Sequence, residues 1–235
     1  MFKTKDMEKG KLYIVSTPIG NLGDITYRAV EILKSVPFVL AEDTRESIKL
    51  LRKYDIQTQL ISYRDQNHLR MIEKVKEKLD MGLNLALISD SGTPLISDPG
   101  FKLVKELKED GYVIESIPGP SALIAALSIS GLPTDKFIFL GFLPKSDSKR
   151  KRLLEKYLQL GDTVVIYESP KRVLDLLHLI DECTNTNITV LAKDLTKIRE
   201  EVLVGESIEL ISLLKDRDFE NHPHGEFVVL INSSL

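Results

Sequence analysis

Two carboxylates and a guanidinium stand together at Glu42-Asp43-Thr44-Arg45, directly after the apolar run Phe38–Leu40. A carboxylate within reach of a hydroxyl can take its proton, and a guanidinium can hold a phosphate or carboxylate. Asp43 is therefore a candidate base and Arg45 a candidate clamp. Asp43 and Thr44 equally suit the cap of the helix that follows. Asp24, just ahead of Ile25, has the same two readings. A second polar constellation, Ser89-Asp90-Ser91-Gly92-Thr93-Pro94, follows the apolar run Leu85–Ile88. Small residues of this kind let backbone amides and carbonyls approach a ligand closely. The loop is longer than the usual connection of about 2–6 residues between a strand and a helix. Asp98-Pro99 then reads as an N-cap and first-turn proline, opening a helix through Phe101, Val104 and Leu107. A dense basic cluster, Lys145 with Lys149, Arg150, Lys151 and Arg152, completes the set. It suits RNA phosphates, and it equally suits a solvated helix start. Positive charge is unfavourable at a helix N-terminus, a local conflict of the sort functional sites leave.

These residues sit where strands end. Strands are expected at Leu12–Val15, Phe38–Leu40, near Leu60, at Leu85–Ile88 and at Tyr112–Ile117. Between them, helical spacing runs through Ile25–Val36, Thr44–Tyr54, Leu69–Leu79 and a segment ending at Gly111. Strict alternation of this kind predicts a mainly parallel sheet covered on both faces. If the first strands are parallel neighbours, the loops 16–24, 41–45 and 89–98 converge on one sheet edge, where open α/β folds bind ligands. Pro118-Gly119-Pro120 punctuates the chain, and a division into two domains, 1–117 and 118–235, is expected there. Ala122–Ile129 is almost wholly apolar and predicts a helix buried on most sides. Further strands are expected at Phe137–Leu140, Val164–Tyr167, Ile188–Ala192, Val202–Glu206 and Phe227–Ile231. Helices are expected at Lys149–Leu158, Pro170–Asp181 and Ser207–Lys215, with Ser169-Pro170 as a second cap and first-turn pair.

Composition narrows the classes. The chain has 235 residues, 43% of them hydrophobic, which suffices for a core. Its net charge of −3 does not mark a general nucleic-acid binder, so RNA contact requires a local patch. One cysteine, Cys183, excludes an internal disulfide and fits a reducing cytosol. No apolar run approaches the roughly 18 residues of a membrane span. Met1–Lys11 is charged, lacks the apolar stretch of a signal peptide, and reads as a short frayed arm. There is no Walker loop, nucleophile elbow or HExxH zinc motif. His222-Pro223-His224 lacks the further ligands a metal site needs, so no metal is expected.

The motifs together resemble the tetrapyrrole (corrin/porphyrin) methylase superfamily, and more closely its bacterial branch acting on 16S ribosomal RNA. The segments carrying the likeness are LYIVSTPIGNLGDIT at 12–26, AEDTRESIKLL at 41–51, ALISDSGTPLISDPG at 86–100, IPGPSALIAALSISGLPTDKFIFLGFLP at 117–144, YESPKR at 167–172 and GEFVVLI at 225–231. They run in family order across nearly the whole chain. The resemblance implies two α/β domains with a cofactor cleft between them, S-adenosylmethionine as methyl donor, and a cytoplasmic homodimer. It implies transfer to the ribose 2′-hydroxyl of a cytidine in 16S rRNA of the small ribosomal subunit. The N-terminal domain would take the substrate side, and the C-terminal domain the dimer contacts. Carried over residue by residue, Pro18 lines the cofactor site, and Ser89, Asp90, Ser91 and Thr93 cradle its methionine and ribose portions. Ser121 and Ala122 follow the Pro-Gly-Pro turn, and Glu168 and Leu195 approach the adenine mainly through backbone atoms. The family usually has Ala-Arg-Glu-Leu-Thr-Lys where this chain has Ala192-Lys193-Asp194-Leu195-Thr196-Lys197. Many relatives also carry a small helical extension after the last strand, whereas this sequence stops at Leu235. If that extension grips RNA, the expectation here is a different grip, at the basic cluster or, failing that, around Arg45 and Arg64, or else a different substrate. A small-molecule methylase and a non-catalytic S-adenosylmethionine-binding module are the competing readings.

Overall fold

Residues that alternate between two faces of a strand, each face covered by helices, must be apolar on both sides. The computed structural model, which describes residues 8–184 and 187–234, contains β1 (Leu12–Val15), β2 (Phe38–Ala41), β3 (Gln59–Ser62), β4 (Leu85–Ile88) and β5 (Ile114–Ile117). β2 and β4 are apolar on both faces, whereas β3 and β5 expose Gln59, Ser62, Glu115 and Ser116. The frayed arm expected at the N-terminus falls largely on residues 1–7, outside the described residues. The five strands form one all-parallel sheet in the order β3-β2-β4-β1-β5. Four helices flank it: α1 (Tyr27–Ser35), α2 (Thr44–Lys53), α3 (His68–Asp80) and α4 (Phe101–Glu109). Leu85 and Leu87 of β4 pack with Met71, Val75 and Leu79 of α3 and with Leu103 and Leu107 of α4. Ala86 and Ile88 point the other way, to Ala29 and Leu33 of α1 and Leu51 of α2. The parallel sheet covered on both faces, expected from the alternation, is thus present in residues 1–121, the first of two compact units.

The second unit, residues 122–235, carries α5 (Ala122–Ile129), β6 (Phe137–Phe142), α6 (Asp147–Leu158), β7 (Thr163–Glu168), α7 (Val173–Cys183), β8 (Ile188–Lys193), β9 (Glu201–Gly205), α8 (Ser207–Asp216) and β10 (Phe227–Asn232). Its sheet order is β6-β7-β10-β8-β9. Only β6 and β7 run parallel; the other pairs are antiparallel. The mainly parallel expectation therefore does not extend here. β8 reaches β9 without an intervening helix, and a connection that short favours an antiparallel return. Leu154, Leu176, Leu177, Ile180, Leu210 and Leu214 cover one face of this sheet.

Four local expectations are corrected. Helix α4 begins at Phe101 behind Gly100, not at Asp98-Pro99. Asp98 does not cap the helix, whose N-cap is Gly100 with no side-chain hydrogen bond. Gly100 has φ 122°, and a Cβ there would lie 2.8 Å from Leu87 Cδ2, so glycine takes the junction instead. Ser169-Pro170 enters a turn closed by Arg172 N–H to the Ser169 carbonyl, and α7 starts only at Val173. In α5, Leu123, Ala126 and Leu127 are buried while Ile124 and Ile129 are exposed, so this helix buries one side rather than most. Strand β5 also starts later than expected. The Tyr112 N–H bonds the Leu107 carbonyl at the end of α4, and its hydroxyl donates to Asp80 at 2.9 Å.

Candidate functional site

β2, β4 and β1 are adjacent and parallel, so their carboxyl ends open on one edge. The loops there are fastened to one another. Thr17 and Gly92 exchange backbone hydrogen bonds at 2.8 and 3.1 Å. Ser16 Oγ donates to Thr93 Oγ1 at 2.9 Å, because Thr93 Oγ1 spends its proton on the Pro120 carbonyl at 3.1 Å. Thr17 Oγ1 donates to the Ser89 carbonyl at 3.2 Å. Pro18 and Ser89 are buried, Thr93 and Ser121 half-buried, and Asp90 and Ser91 exposed. A Cβ on Gly119 would lie 2.9 Å from Ser16 Cβ, so the loops after β1 and β5 approach backbone to side chain. Leu95 and Ser97 hold φ of 73° and 66°, a conformation that costs a branched or polar L-residue energy and gathers at functional loops.

Asp90 Oδ1 accepts the Asp43 N–H at 3.0 Å, tying the loop after β4 to the loop after β2. Asp43 is the N-cap of α2, accepting from the Arg45 N–H at 2.9 Å. It also takes Arg45 Nε at 3.0 and 3.2 Å and Nη2 at 2.5 Å. The hydrogen bonds from the Arg45 side chain, then from its backbone, hold the Asp43 carboxyl far below the usual range. So weak a proton acceptor makes a poor general base, which should have a proton affinity near working pH. This speaks against Asp43 as a base and for a part in holding Arg45. Asp24 is exposed within a 3-10 turn at Leu22–Asp24. It does not cap α1, because Thr26 Oγ1 takes that role, accepting from Ala29 N–H at 3.1 Å.

Raised proton affinity lies instead on two neighbours. Burial first, then the charges of Glu42 and Asp90, push Asp98 up to about 6, against the Ser89 hydrogen bond. Burial, then Asp90, raises Glu42 as well, with Arg64 opposing. Sequence pattern does not single out Asp98, because its Asp-Pro context looks like a helix start. The strand-end position of Asp98, within the long loop after β4, was the available signal.

In the second unit, Glu168 ends β7 with its side chain fully buried. It accepts from Ser169 N–H at 2.8 Å, and its Oε2 lies 3.3 Å from Arg172 Nη2. Leu195 is buried between two residues of positive φ, Asp194 at 51° and Thr196 at 66°. Asp194 Oδ1 accepts the Glu226 N–H at 3.2 Å, so the shortened side chain fastens this loop to the start of β10. His224 is committed to Lys193, Nε2 to Nζ at 2.9 Å, and its Nδ1 faces the His222 carbonyl at 2.8 Å. Among the described residues, no His, Cys, Asp and Glu side chains gather in a group suited to a metal ion. The basic cluster is only partly a surface. Arg150 is 7% exposed and paired with Asp147, because it faces inward one turn into α6. Lys151 pairs with Glu182 at 3.2 Å, while Lys145, Lys149 and Arg152 are exposed.

Residues 11–211 match the family of tetrapyrrole (corrin/porphyrin) methylases. The chain is 42% identical over 227 residues to the ribosomal RNA small subunit methyltransferase I of Rickettsia prowazekii, covering 97% of this chain and 80% of that protein. It is 41% identical to the Thermotoga maritima protein of the same name, covering 95% of this chain and 98% of that one. Among solved structures, it is similar to a cobalt precorrin-4 methyltransferase of cobalamin biosynthesis, with a TM-score of 0.69, 16% identity and 94% of each chain covered. A conserved hypothetical protein from Aeropyrum pernix K1 gives a TM-score of 0.73 at 17% identity, covering 97% of this chain and 86% of that one.

Proposed function

This chain belongs to the tetrapyrrole (corrin/porphyrin) methylase family, and from that premise we propose that it methylates the ribose 2′-hydroxyl of a cytidine in 16S ribosomal RNA. It is a methyltransferase, and its methyl donor is S-adenosylmethionine. The observation that carries the RNA reading is the near full-length likeness to the relatives named above. The partners on this reading are the small ribosomal subunit and a second copy of the chain, in the cytoplasm. The homodimer rests on the family resemblance, and a concentration-independent monomer mass in sedimentation equilibrium would remove it.

The first unit's loops fit the donor. Their neutral hydroxyls, close backbone and exposed Asp90 carboxylate suit a ligand that carries an amino acid, a ribose and a sulfonium charge. We assign the holding role to Pro18, Ser89, Asp90, Ser91, Thr93 and Ser121, and assign Ala122, Glu168 and Leu195 to the adenine. Glu168 acts there through its backbone, since its carboxylate is buried among Ser169 and Arg172. The donor supplies an activated methyl: its carbon–sulfur bond breaks as the new carbon–oxygen bond forms, and the hydroxyl releases a proton. The protein's part is alignment and exclusion of water. Asp98 and Glu42 are better proton acceptors than Asp43, for the reasons given above. Asp24 has no partner role in α1 and stands as an exposed carboxylate at the same sheet edge.

Lys145, Lys149 and Arg152 are the cations proposed to reach RNA phosphates, with Lys151 available when it leaves Glu182. Replacing Lys145, Lys149 and Arg152 with Ser is expected to flatten the log–log salt dependence of RNA binding by roughly 0.7–0.9 per lost contact. Arg150→Ser is expected to lower the unfolding midpoint instead, because it empties the buried site that the arginine side chain fills. An unchanged salt slope in the triple variant would make the cluster a solvated helix start. The reaction itself is tested by offering labelled S-adenosylmethionine with unmodified small subunits, free 16S rRNA or a precorrin. Label in RNA is expected; label in the precorrin alone would favour a small-molecule methylase.

A further inference from the structure

We propose that Arg45 and Arg64 form one clamp for the phosphodiester beside the ribose being methylated, with Asp43 as the strut that holds both. The proposal rests on the RNA reading above and assigns that substrate a point of attachment. The two arginines come from different elements, the first turn of α2 and the segment after β3. Both reach the same oxygen: Asp43 Oδ2 lies 2.5 Å from Arg45 Nη2 and 3.7 Å from Arg64 Nη2. Arg64 Nε also donates to the Glu42 carbonyl at 3.0 Å, which anchors it to the end of β2. The Asp43 side chain is 16% exposed, whereas those of Arg45 and Arg64 are 84% and 49% exposed. A sheltered carboxylate thus presents two guanidinium groups to solvent.

A guanidinium carries five N–H donors in a planar fork. Asp43 takes those on the Nε and Nη2 edge of Arg45, which leaves the outer donors for a ligand. Two fixed forks beside one another match the oxygens of a phosphodiester better than a flexible ammonium does. The surrounding carboxylates are Glu42, Glu46, Asp65 and Asp90; Glu46 is paired with Lys49 at 2.7 Å, Asp65 accepts the Gly100 N–H at 3.2 Å, and Asp90 the Asp43 N–H. With those charges nearby, the pair is no general attractor of polyanions. It recognises one phosphodiester by shape, while the exposed cations of the basic cluster supply the long-range attraction. The strut is bonded through its backbone to Asp90, on the loop assigned to the methyl donor. In RNA the 2′-hydroxyl and the 3′-phosphodiester sit on neighbouring ribose carbons. A grip on that phosphodiester therefore places the 2′-hydroxyl relative to the donor loop.

The test compares Arg64→Ala, Arg64→Lys, Arg45→Ala and Asp43→Asn with the unaltered protein on unmodified small subunits. Thermal unfolding and S-adenosylhomocysteine binding serve as controls for folding. Arg64→Ala is expected to raise KM for subunits roughly ten-fold or more and to lower the salt slope by roughly 0.7–0.9. Arg64→Lys is expected to restore the slope but only part of KM, since charge returns without the fork. Asp43→Asn keeps the helix cap and removes the charge. It is expected to raise KM while the pH profile of kcat keeps its acid limb. Loss of that limb with unchanged KM would make Asp43 the base and overturn the strut. Unchanged KM and salt slope in Arg64→Ala, with the unaltered protein active on subunits, would overturn the clamp alone. An unaltered protein that neither binds nor methylates subunits would remove the RNA reading and the clamp with it.

Discussion

Replacing Asp90 with alanine is expected to weaken S-adenosylhomocysteine binding by roughly ten-fold to a hundred-fold in titration calorimetry. The expectation has two sources. Asp90 is the one exposed carboxylate in the run Ser89–Thr93, and a hydrogen bond to a charged group is worth about 1.5–3 kcal/mol. It also accepts the Asp43 N–H at 3.0 Å, so its loss unfastens the loop after β2 from the loop after β4. Asp90→Asn keeps an acceptor for that N–H and is expected to lie between the two. Equal affinity in all three proteins would show that the ligand does not meet this carboxylate.

Asp98→Asn is expected to change how stability varies with pH. The folded protein holds the Asp98 carboxyl up at about 6, against an ordinary 3.8, chiefly through burial. Below the ordinary value both folded and unfolded chains keep the proton, and the group costs nothing. As pH rises toward 6 the unfolded chain ionises first, and folding loses free energy. Above 6 the loss is complete, at most about 3 kcal/mol for a shift of this size. Asparagine cannot ionise and has nearly the same shape as the carboxyl it replaces. The variant is therefore expected to match the unaltered protein near pH 4 and to exceed it in urea midpoint near pH 7.5. Identical pH dependence of the two midpoints would show that Asp98 is freely solvated.

The same residue shows what the sequence could and could not reveal. The parallel sheet of the first unit was legible because β2 and β4 are apolar on both faces, and doubly covered strands leave that signature. The convergence of the loops at 16–24, 41–45 and 89–98 followed from that sheet. Asp98 was read as a helix cap because Asp-Pro is a strong local signal. What surrounds its carboxyl, burial together with the charges of Glu42 and Asp90, comes partly from the loop after β2, and local propensity carries no trace of that. Arg64 stands in no motif of its own, since Asp43 and Glu42, which it meets, are far from it in sequence. Arg150 is indistinguishable from its neighbours in the sequence, because a run of charges records composition and not direction. One turn of α6 places it inward against Asp147, while Lys149 and Arg152 face out. The antiparallel half of the second sheet was hidden for a related reason. Strand propensity at β8, β9 and β10 does not encode chain direction; the lengths of their connections do.

Digesting small-subunit RNA to nucleosides after incubation with isotopically labelled S-adenosylmethionine, and weighing the products by mass spectrometry, tests the central claim most directly. The expected product is one labelled 2′-O-methylcytidine per subunit, dependent on the protein. Label on a base, on another nucleoside, or absent from RNA would contradict it.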